Sequence, residues 1–303
     1  MSGTTKAQRA RRRLVFGMMP AGITMGIFLL VPLALVVMIS LVEGGRYGGV
    51  IWSFDNGTAY ERLLYTPRLD GTVELNVSFL TIFARSLMLA AMTTLICFLI
   101  AFPAAFYISR CPAWAKNILL LLIMFPFWSN LLVRTTSWII LLRDQGLVNQ
   151  MLMGLGLTSN PLTLLYTNGS ILVGLVYVYI PFMILPIFTS LERLDFRLVE
   201  ASFDLFASRM KTLRHVILPL TIPGIAAGSI LVFIPSLGAF ITPDLLGGGK
   251  KLMLGSLIQM QFTTGRNWPY GASLSVLLLA LVLVALFLNA RMAVRRKSQG
   301  TAR

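Results

Sequence analysis

The chain has 303 residues, 56% of them hydrophobic and only 12% charged, with a formal net charge of +15. That composition excludes an ordinary soluble domain, and the apolar residues fall in runs of about 20, long enough to cross a bilayer. The basic residues flank those runs, where they set membrane topology, so the positive charge does not call for nucleic acid as a partner.

Residues 1–13 are polar and basic, carrying Lys6, Arg9, Arg11, Arg12 and Arg13, and form a tail before the first apolar run at 14–41. That run is too long for a cleaved signal peptide and lacks a small-x-small site at its end, so it reads as a retained membrane helix. A polar stretch at 43–79 follows. Further apolar helices are expected at about 86–109, 117–142, 171–190, 218–241 and 272–292. Pro181 and Pro186 are expected to break the fourth helix. The fold class is therefore an all-α membrane protein of six transmembrane helices in one domain, 14–294, with a second tail at 295–303.

The 26 Lys and Arg concentrate in the N-terminal tail, the loop 110–116, the loop 192–217 and the C-terminal end. The positive-inside rule places those four segments, and hence both termini, in the cytoplasm.

The segment from Glu192 to Pro223 is the only long charged-and-apolar stretch between two very hydrophobic ones. At helical spacing Val199, Phe203, Phe206, Met210 and Leu213 form an apolar stripe. Arg197, Glu200, Asp204, Ser208 and Lys211 form a polar one beside it. Asp195 can cap the helix start, and Pro219 and Pro223 mark entry into the next apolar run. Such a helix lies on a lipid surface or is gripped by a partner. Glu200-Ala201-Ser202, with Leu218-Pro219 at its spacing, resembles the cytoplasmic coupling loop of ABC importer permeases. There the pattern is Glu-Ala-Ala, three residues, Gly, nine residues, Ile, one residue, Leu-Pro. Here Ser202 replaces the second Ala, Val216 the Ile and Phe206 the Gly. The last is the real departure, because Gly permits a turn or close backbone approach. The resemblance assigns ATPase coupling to Glu200, Ala201, Ser202, Phe203, Phe206, Met210, Leu218 and Pro219.

Enzyme motifs are missing. Gly247-Gly248-Gly249-Lys250 fails as a nucleotide-binding loop, because Asp244 and Lys251 stand where Gly and Ser or Thr are needed. Cys97, Cys111 and His215 form no metal-ligand pattern. What remains is polar material within the membrane. Asn130, Arg134 and Ser137 share one face of the third expected helix. Arg134 either serves a pathway or a structural ion pair, or snorkels toward the outer surface. Ser229, Phe233, Ser236, Phe240 and Asp244 line the fifth helix, and Gly224-x-x-x-Gly228 is a step that lets helices pack closely. Tyr177 and Tyr179, near Pro181, line a pathway or pack against neighbours.

A closer likeness rests on Pro126-Phe127-Trp128-Ser129-Asn130 with Leu132 and Arg134, and on Gly174-Leu175-Val176-Tyr177 with Pro181-Phe182-Met183. Asp244-Leu245-Leu246-Gly247-Gly248 and Asn267-Trp268-Pro269 extend it. These segments resemble the spermidine/putrescine permeases over roughly 80–290. The resemblance implies type I importer architecture in a bacterial inner membrane, with a second permease as heterodimer partner. It also implies two copies of a cytoplasmic ATPase, which would hold ATP and Mg, and a periplasmic binding protein. This chain itself binds no cofactor on that reading, and its other contact is membrane lipid. The expected cargo is a polyamine, or alternatively another small organic solute such as an opine, an amino-acid derivative or an organic ion. A secondary transporter would need an internal repeat and coupling-ion ligands, which the sequence does not offer. Candidate pathway residues are Trp128, Asn130, Arg134, Tyr177, Tyr179, Ser236, Phe240 and Asp244.

Overall fold

The computed structural model describes residues 3–45, 48–54, 58–67 and 73–300, and the backbone alone at 3–18, 54, 58 and 292–300. The basic side chains expected in both tails lie outside the described residues. In chain order the elements are α1 (Gly3–Ile39), β1 (Val42–Gly44), β2 (Val50–Phe54), α2 (Thr58–Leu64), β3 (Tyr65–Pro67), β4 (Val73–Leu75) and α3 (Val77–Arg110). Next come α4 (Ala113–Met124), a 3-10 turn (Phe125–Trp128), α5 (Leu131–Leu142), α6 (Leu147–Gly154) and α7 (Asn168–Glu192). Then follow α8 (Arg197–Asp204), α9 (Arg209–Thr212), a π turn (Leu213–Ile217) and α10 (Leu218–Leu237). The chain closes with α11 (Ile241–Gly247), α12 (Leu254–Phe262) and α13 (Trp268–Gly300). Among the described residues five helical stretches are long and apolar enough to span a membrane, and there are six if the bent pair Ala113–Trp128 and Leu131–Gly154 is one crossing.

The chain divides into two compact units. The first comprises Met1–Glu74 and Gln261–Leu277. In it β1 and β2 pair antiparallel, with Gly44 opposite Val50 and an irregularity between Val42 and Glu43. The Ser40 and Tyr60 hydroxyls lie 2.8 Å apart and tie the end of α1 to α2. Asn267 and Pro269 meet the hairpin at Gly44 and, with Glu43, Arg62 and Tyr270, line a polar pocket of about 210 Å³.

The second unit comprises Leu75–Met260 and Leu278–Arg303. Its core is where α3, α7 and α10 meet. Small buried residues of α3, Cys97, Ala101 and Ala105, recur every fourth position and admit the larger Met183, Ile187 and Leu191 of α7. The Gly224-x-x-x-Gly228 step does the same on α10. A Cβ at Gly224 would collide with the Ser190 hydroxyl and the Pro186 carbonyl, and one at Gly228 would sit 2.8 Å from the Met183 sulfur. The bare backbone at these two positions is thus what lets α10 reach α7.

Four expected helices are corrected by the structure. The second begins at Val77, well before Ser86, where Asn76 caps it by accepting the Phe79 N–H. The third is two helices bent by 91°. Pro126 cannot donate to a helical ladder, so the chain tightens into the 3-10 turn. Ser129 and Asn130 are then extended, and the Asn130 side chain restarts the helix by accepting the Leu132 N–H at 2.8 Å. The fourth, α7, runs unbroken through Pro181 and Pro186, because membrane helices packed by neighbours tolerate the lost donor. The fifth stops at Leu237, so Phe240 and Asp244 do not share its face with Ser236. In addition, α6 occupies part of the expected loop between the third and fourth helices.

Candidate functional site

The Glu192–Pro223 segment is not one amphipathic helix. Asp195 does act at its start, accepting the Arg197 N–H at 3.0 Å. Helix α8 then ends after Asp204. The Phe206 N–H donates to the Phe203 carbonyl, and the Ala207 N–H to the Ser202 carbonyl. This pair of bonds is a Schellman stop, and its left-handed position usually takes Gly. Here Phe206 holds that position with φ of 57°. The residue that replaces the expected glycine therefore adopts the glycine conformation, at a cost of about 1–3 kcal/mol.

The stop divides the expected apolar stripe. Val199 is buried in the core of α3 and α7 and Leu213 packs against it. Phe203, Leu205 and Met210 are exposed, and Phe206 is 97% exposed. Two contacts hold this tip in place. Ser202 and Thr212, both buried, bring their hydroxyls to 2.8 Å and join α8 to α9. The Arg110 guanidinium, at the C-terminal end of α3, lies 4.4 Å from the Phe106 ring and 5.8 Å from Phe196, which leads into α8. Lys116 and Glu192 pair at 3.3 Å beside it. Glu200 and Ala201 are exposed, and Glu200 forms no ion pair with Arg197 or any other described residue. Leu218 and Pro219 do not begin a separate helix. The Leu218 N–H reaches back five residues to Leu213, so α9 runs through the π turn into α10 without a break. The outcome is an apolar knob, fixed from behind, with an unpaired carboxylate at its flank.

The pathway candidates sort into two groups. Arg134 and Tyr179 belong to a connected aromatic layer and Tyr177 to a separate ring pair, and their partners Phe127, Phe182 and Trp138 were not picked out as site residues from the sequence. The Arg134 guanidinium lies 5.1 Å from the Phe127 ring. Phe127 meets Phe182 edge-on at 5.1 Å, and Phe182 lies 6.3 Å from Tyr179. The Tyr179 hydroxyl donates to the Pro235 carbonyl at 3.1 Å. That carbonyl is one of the last in α10 and lacks a helical donor. Tyr177 meets Trp138 edge-on at 5.6 Å. Phe127 and Phe182 sit within the two motifs that carry the polyamine resemblance, and that was the available signal.

The remaining candidates stand apart. Trp128 is 80% exposed at the end of the 3-10 turn. Asn130 is a cap rather than a member of a helical face. Ser236 is fully buried and donates to its own Val232 carbonyl, so it offers nothing to a solute. Phe240, just before α11, and Asp244, within it, are exposed, and the glycine run after them ends that helix, with φ of 60° at Gly248 and 68° at Gly249. Ser229 and Phe233 line a separate, apolar cavity of about 520 Å³ between α3, α10 and α13.

Residues 91–298 match the family described as binding-protein-dependent transport system inner membrane component. The chain is 37% identical over 264 residues to the spermidine/putrescine transport system permease protein PotB of Haemophilus influenzae, covering 87% of this chain and 88% of that one. Identity to the PotB of Escherichia coli is 39% over 200 residues, 66% of this chain and 73% of the relative. The inner membrane ABC transporter permease protein YdcU of Escherichia coli is 33% identical over 283 residues, 87% and 88% of the two chains. In fold, the chain is similar to a chain of a bacterial ABC transporter involved in the import of alginate, with TM-score 0.69 and 16% identity over 95% of this chain and 99% of that chain.

Proposed function

The chain belongs to the family of binding-protein-dependent transport system inner membrane components, and from that premise we propose that its cargo is a polyamine of the spermidine or putrescine kind. It is a permease subunit of an ABC importer, and ATP hydrolysis lies in a partner subunit. The cargo reading is carried by the likeness to the Haemophilus influenzae spermidine/putrescine permease across 87% of the chain. The aromatic layer of Phe127, Phe182 and Tyr179, and the separate Tyr177–Trp138 pair, support it chemically, because aromatic faces attract ammonium groups. An attraction of that size binds a cation weakly enough to release it.

The wider assembly follows on the same reading. A second, different permease completes the membrane part, two ATPase copies bind below it, and a periplasmic binding protein delivers the cargo. The basic segments, and so both termini and the α8–α9 tip, face the cytoplasm. The exposed Phe203, Leu205, Phe206 and Met210 then fill a groove on the ATPase, with Glu200 fixing register.

A second reading is favoured by one observation. Arg134 carries a positive charge beside the aromatic layer and would repel a dication. On that reading the cargo is another small organic solute, such as an opine or amino-acid derivative. The deciding experiment is uptake by the reconstituted importer with its cognate binding protein. Polyamine reading: labelled spermidine or putrescine enters and drives ATP hydrolysis. Uptake of a carboxylate-bearing solute that polyamines do not compete against overturns it.

A further inference from the structure

The Nε and Nη1 atoms of Arg134 are closed off from solvent and have no hydrogen-bond partner. No described carboxylate lies within ion-pair distance of the group. The nearest compensation is the Phe127 ring, and a cation–π contact is weaker than the penalty of burying an unpaired charge. That penalty is greater in a membrane-spanning segment than at a wetted surface. The deficit is therefore not met among the described residues.

The geometry shows where the missing partner must come from. Arg134 is only half buried, and Nη2 is the guanidinium nitrogen not closed off in this way. Asn130 and Ser137, four residues before and three after it and so on the same side, are both exposed. A cation reaching for a lipid headgroup would extend all its donors outward. This one folds two of them under its own chain against Phe127. Nor can a transported solute be the regular counter-charge, since the desolvation cost persists whenever the transporter is empty.

We propose that Arg134 is this chain's half of an intersubunit ion pair, and that the second permease subunit supplies an Asp or Glu carboxylate at the Nη2 edge. The proposal rests on the importer reading, which provides that second membrane subunit. The face that docks is the side of α5 that carries Arg134 and Ser137, next to the capping Asn130, and the charge is what selects the partner. One carboxylate at the open edge neutralises the whole delocalised guanidinium. The pair also removes the objection that Arg134 raises to a dicationic cargo.

The test uses the complete importer in lipid nanodiscs, with wild type, Arg134→Gln and Arg134→Lys. The readout is dissociation of the two permeases after dilution, followed by native mass spectrometry, alongside bound phospholipid. Arg134→Gln should dissociate roughly tenfold faster or more, and Arg134→Lys less so. Arg134→Glu should fail to assemble and be rescued when one membrane-embedded acidic residue of the other permease is changed to Arg. That rescue separates a lost pair from a misfolded chain. Unchanged dissociation in Arg134→Gln overturns the proposal, as does loss of bound phospholipid with assembly intact, which assigns the site to a lipid phosphate. Unchanged dissociation with altered choice of cargo also overturns it, in favour of a solute carboxylate. The dissociation and lipid readouts do not depend on polyamine transport, so failure of the cargo reading leaves the pair testable.

Discussion

The Ser202 and Thr212 hydroxyls meet at 2.8 Å across the gap between α8 and α9, both out of solvent. Ser202 also donates to the Val199 carbonyl at 2.7 Å, so its proton is committed and Thr212 is the donor in the pair. Ser202 stands where the coupling-loop pattern usually has Ala. An Ala at this position cannot make the bond, so the serine is what ties α8 to α9 here. Ser202→Ala should cost about 1 kcal/mol of local stability and leave the Thr212 hydroxyl short of a partner. Ser202→Ala with Thr212→Val should cost less than the sum of the two single changes. Amide hydrogen exchange over 197–212 measures both. Additive losses in the double variant would show the hydroxyls to be uncoupled.

Phe206 sets two effects against each other. Its left-handed backbone favours Gly, while its exposed ring is the largest apolar surface of the tip. Phe206→Gly should relieve about 1 kcal/mol of backbone strain yet weaken retention of the ATPase during purification. Phe206→Ala should keep most of the strain and lose the same contact. The check is thermal stability of the permease beside recovery of the ATPase. An ATPase held as tightly by both variants as by wild type removes Phe206 from the docking surface.

Gly224 and Gly228 should not accept a methyl group. The added Cβ meets backbone and side-chain atoms of α7 at both positions, so Gly224→Ala and Gly228→Ala should each destabilise by about 1–3 kcal/mol. Gly154 has open space around it and no positive φ, so Gly154→Ala should be neutral. Thermal unfolding in detergent compares the three.

These positions show what the sequence makes legible. Hydropathy finds the spans because lipid demands long apolar runs, and the same signal is blind to the 91° bend, which lies inside one such run. Pro126 and Asn130 were the local evidence for that bend, through the lost donor and the helix-capping side chain. The α8–α9 break was hidden for a different reason: Val199, Phe203, Phe206, Met210 and Leu213 keep helical spacing straight across it. Only the substitution of Phe206 for Gly hinted at a left-handed residue there. Glu200, Phe203 and Met210 were legible as a surface because a charged amphipathic stretch between apolar runs must face something other than lipid. The Arg134–Phe127–Phe182–Tyr179 layer was not, since its members come from α5, the 3-10 turn and α7, and only the packing brings them together.

Among the pathway candidates, Tyr177 and Ser236 should separate cleanly. Tyr177 is half buried against Trp138, and a cation passing it would meet ring surface. Tyr177→Leu should reduce polyamine uptake severalfold, whereas Tyr177→Phe, which keeps the ring, should retain it. Ser236→Ala should leave uptake unchanged, because that hydroxyl is turned to its own backbone. Equal loss in Tyr177→Phe and Tyr177→Leu would assign the effect to the hydroxyl instead.

Glu200 is the sharpest test of coupling. It sits in the first turn of α8 and is free of the nearby Arg197. The local pairing that would make it an ordinary surface residue is therefore not made. Its neighbours on the tip are apolar and exposed, so the carboxylate borders a surface that loses water when covered. In that setting a cation or helix N-terminus on the ATPase would find it partly desolvated, where removing one member of a charge pair costs about 2–5 kcal/mol. A solvated surface pair would be worth at most about 1 kcal/mol. Glu200→Ala should therefore leave the permease folded in the membrane and lower binding-protein-stimulated ATP hydrolysis, recovery of the ATPase, or both. Glu200→Asp should fall between, since it keeps the charge but shortens its reach. The measurement is stimulated ATPase activity in liposomes together with co-purification. Wild-type values for both in Glu200→Ala would remove the α8 flank from the coupling contact and leave the apolar knob to carry it alone.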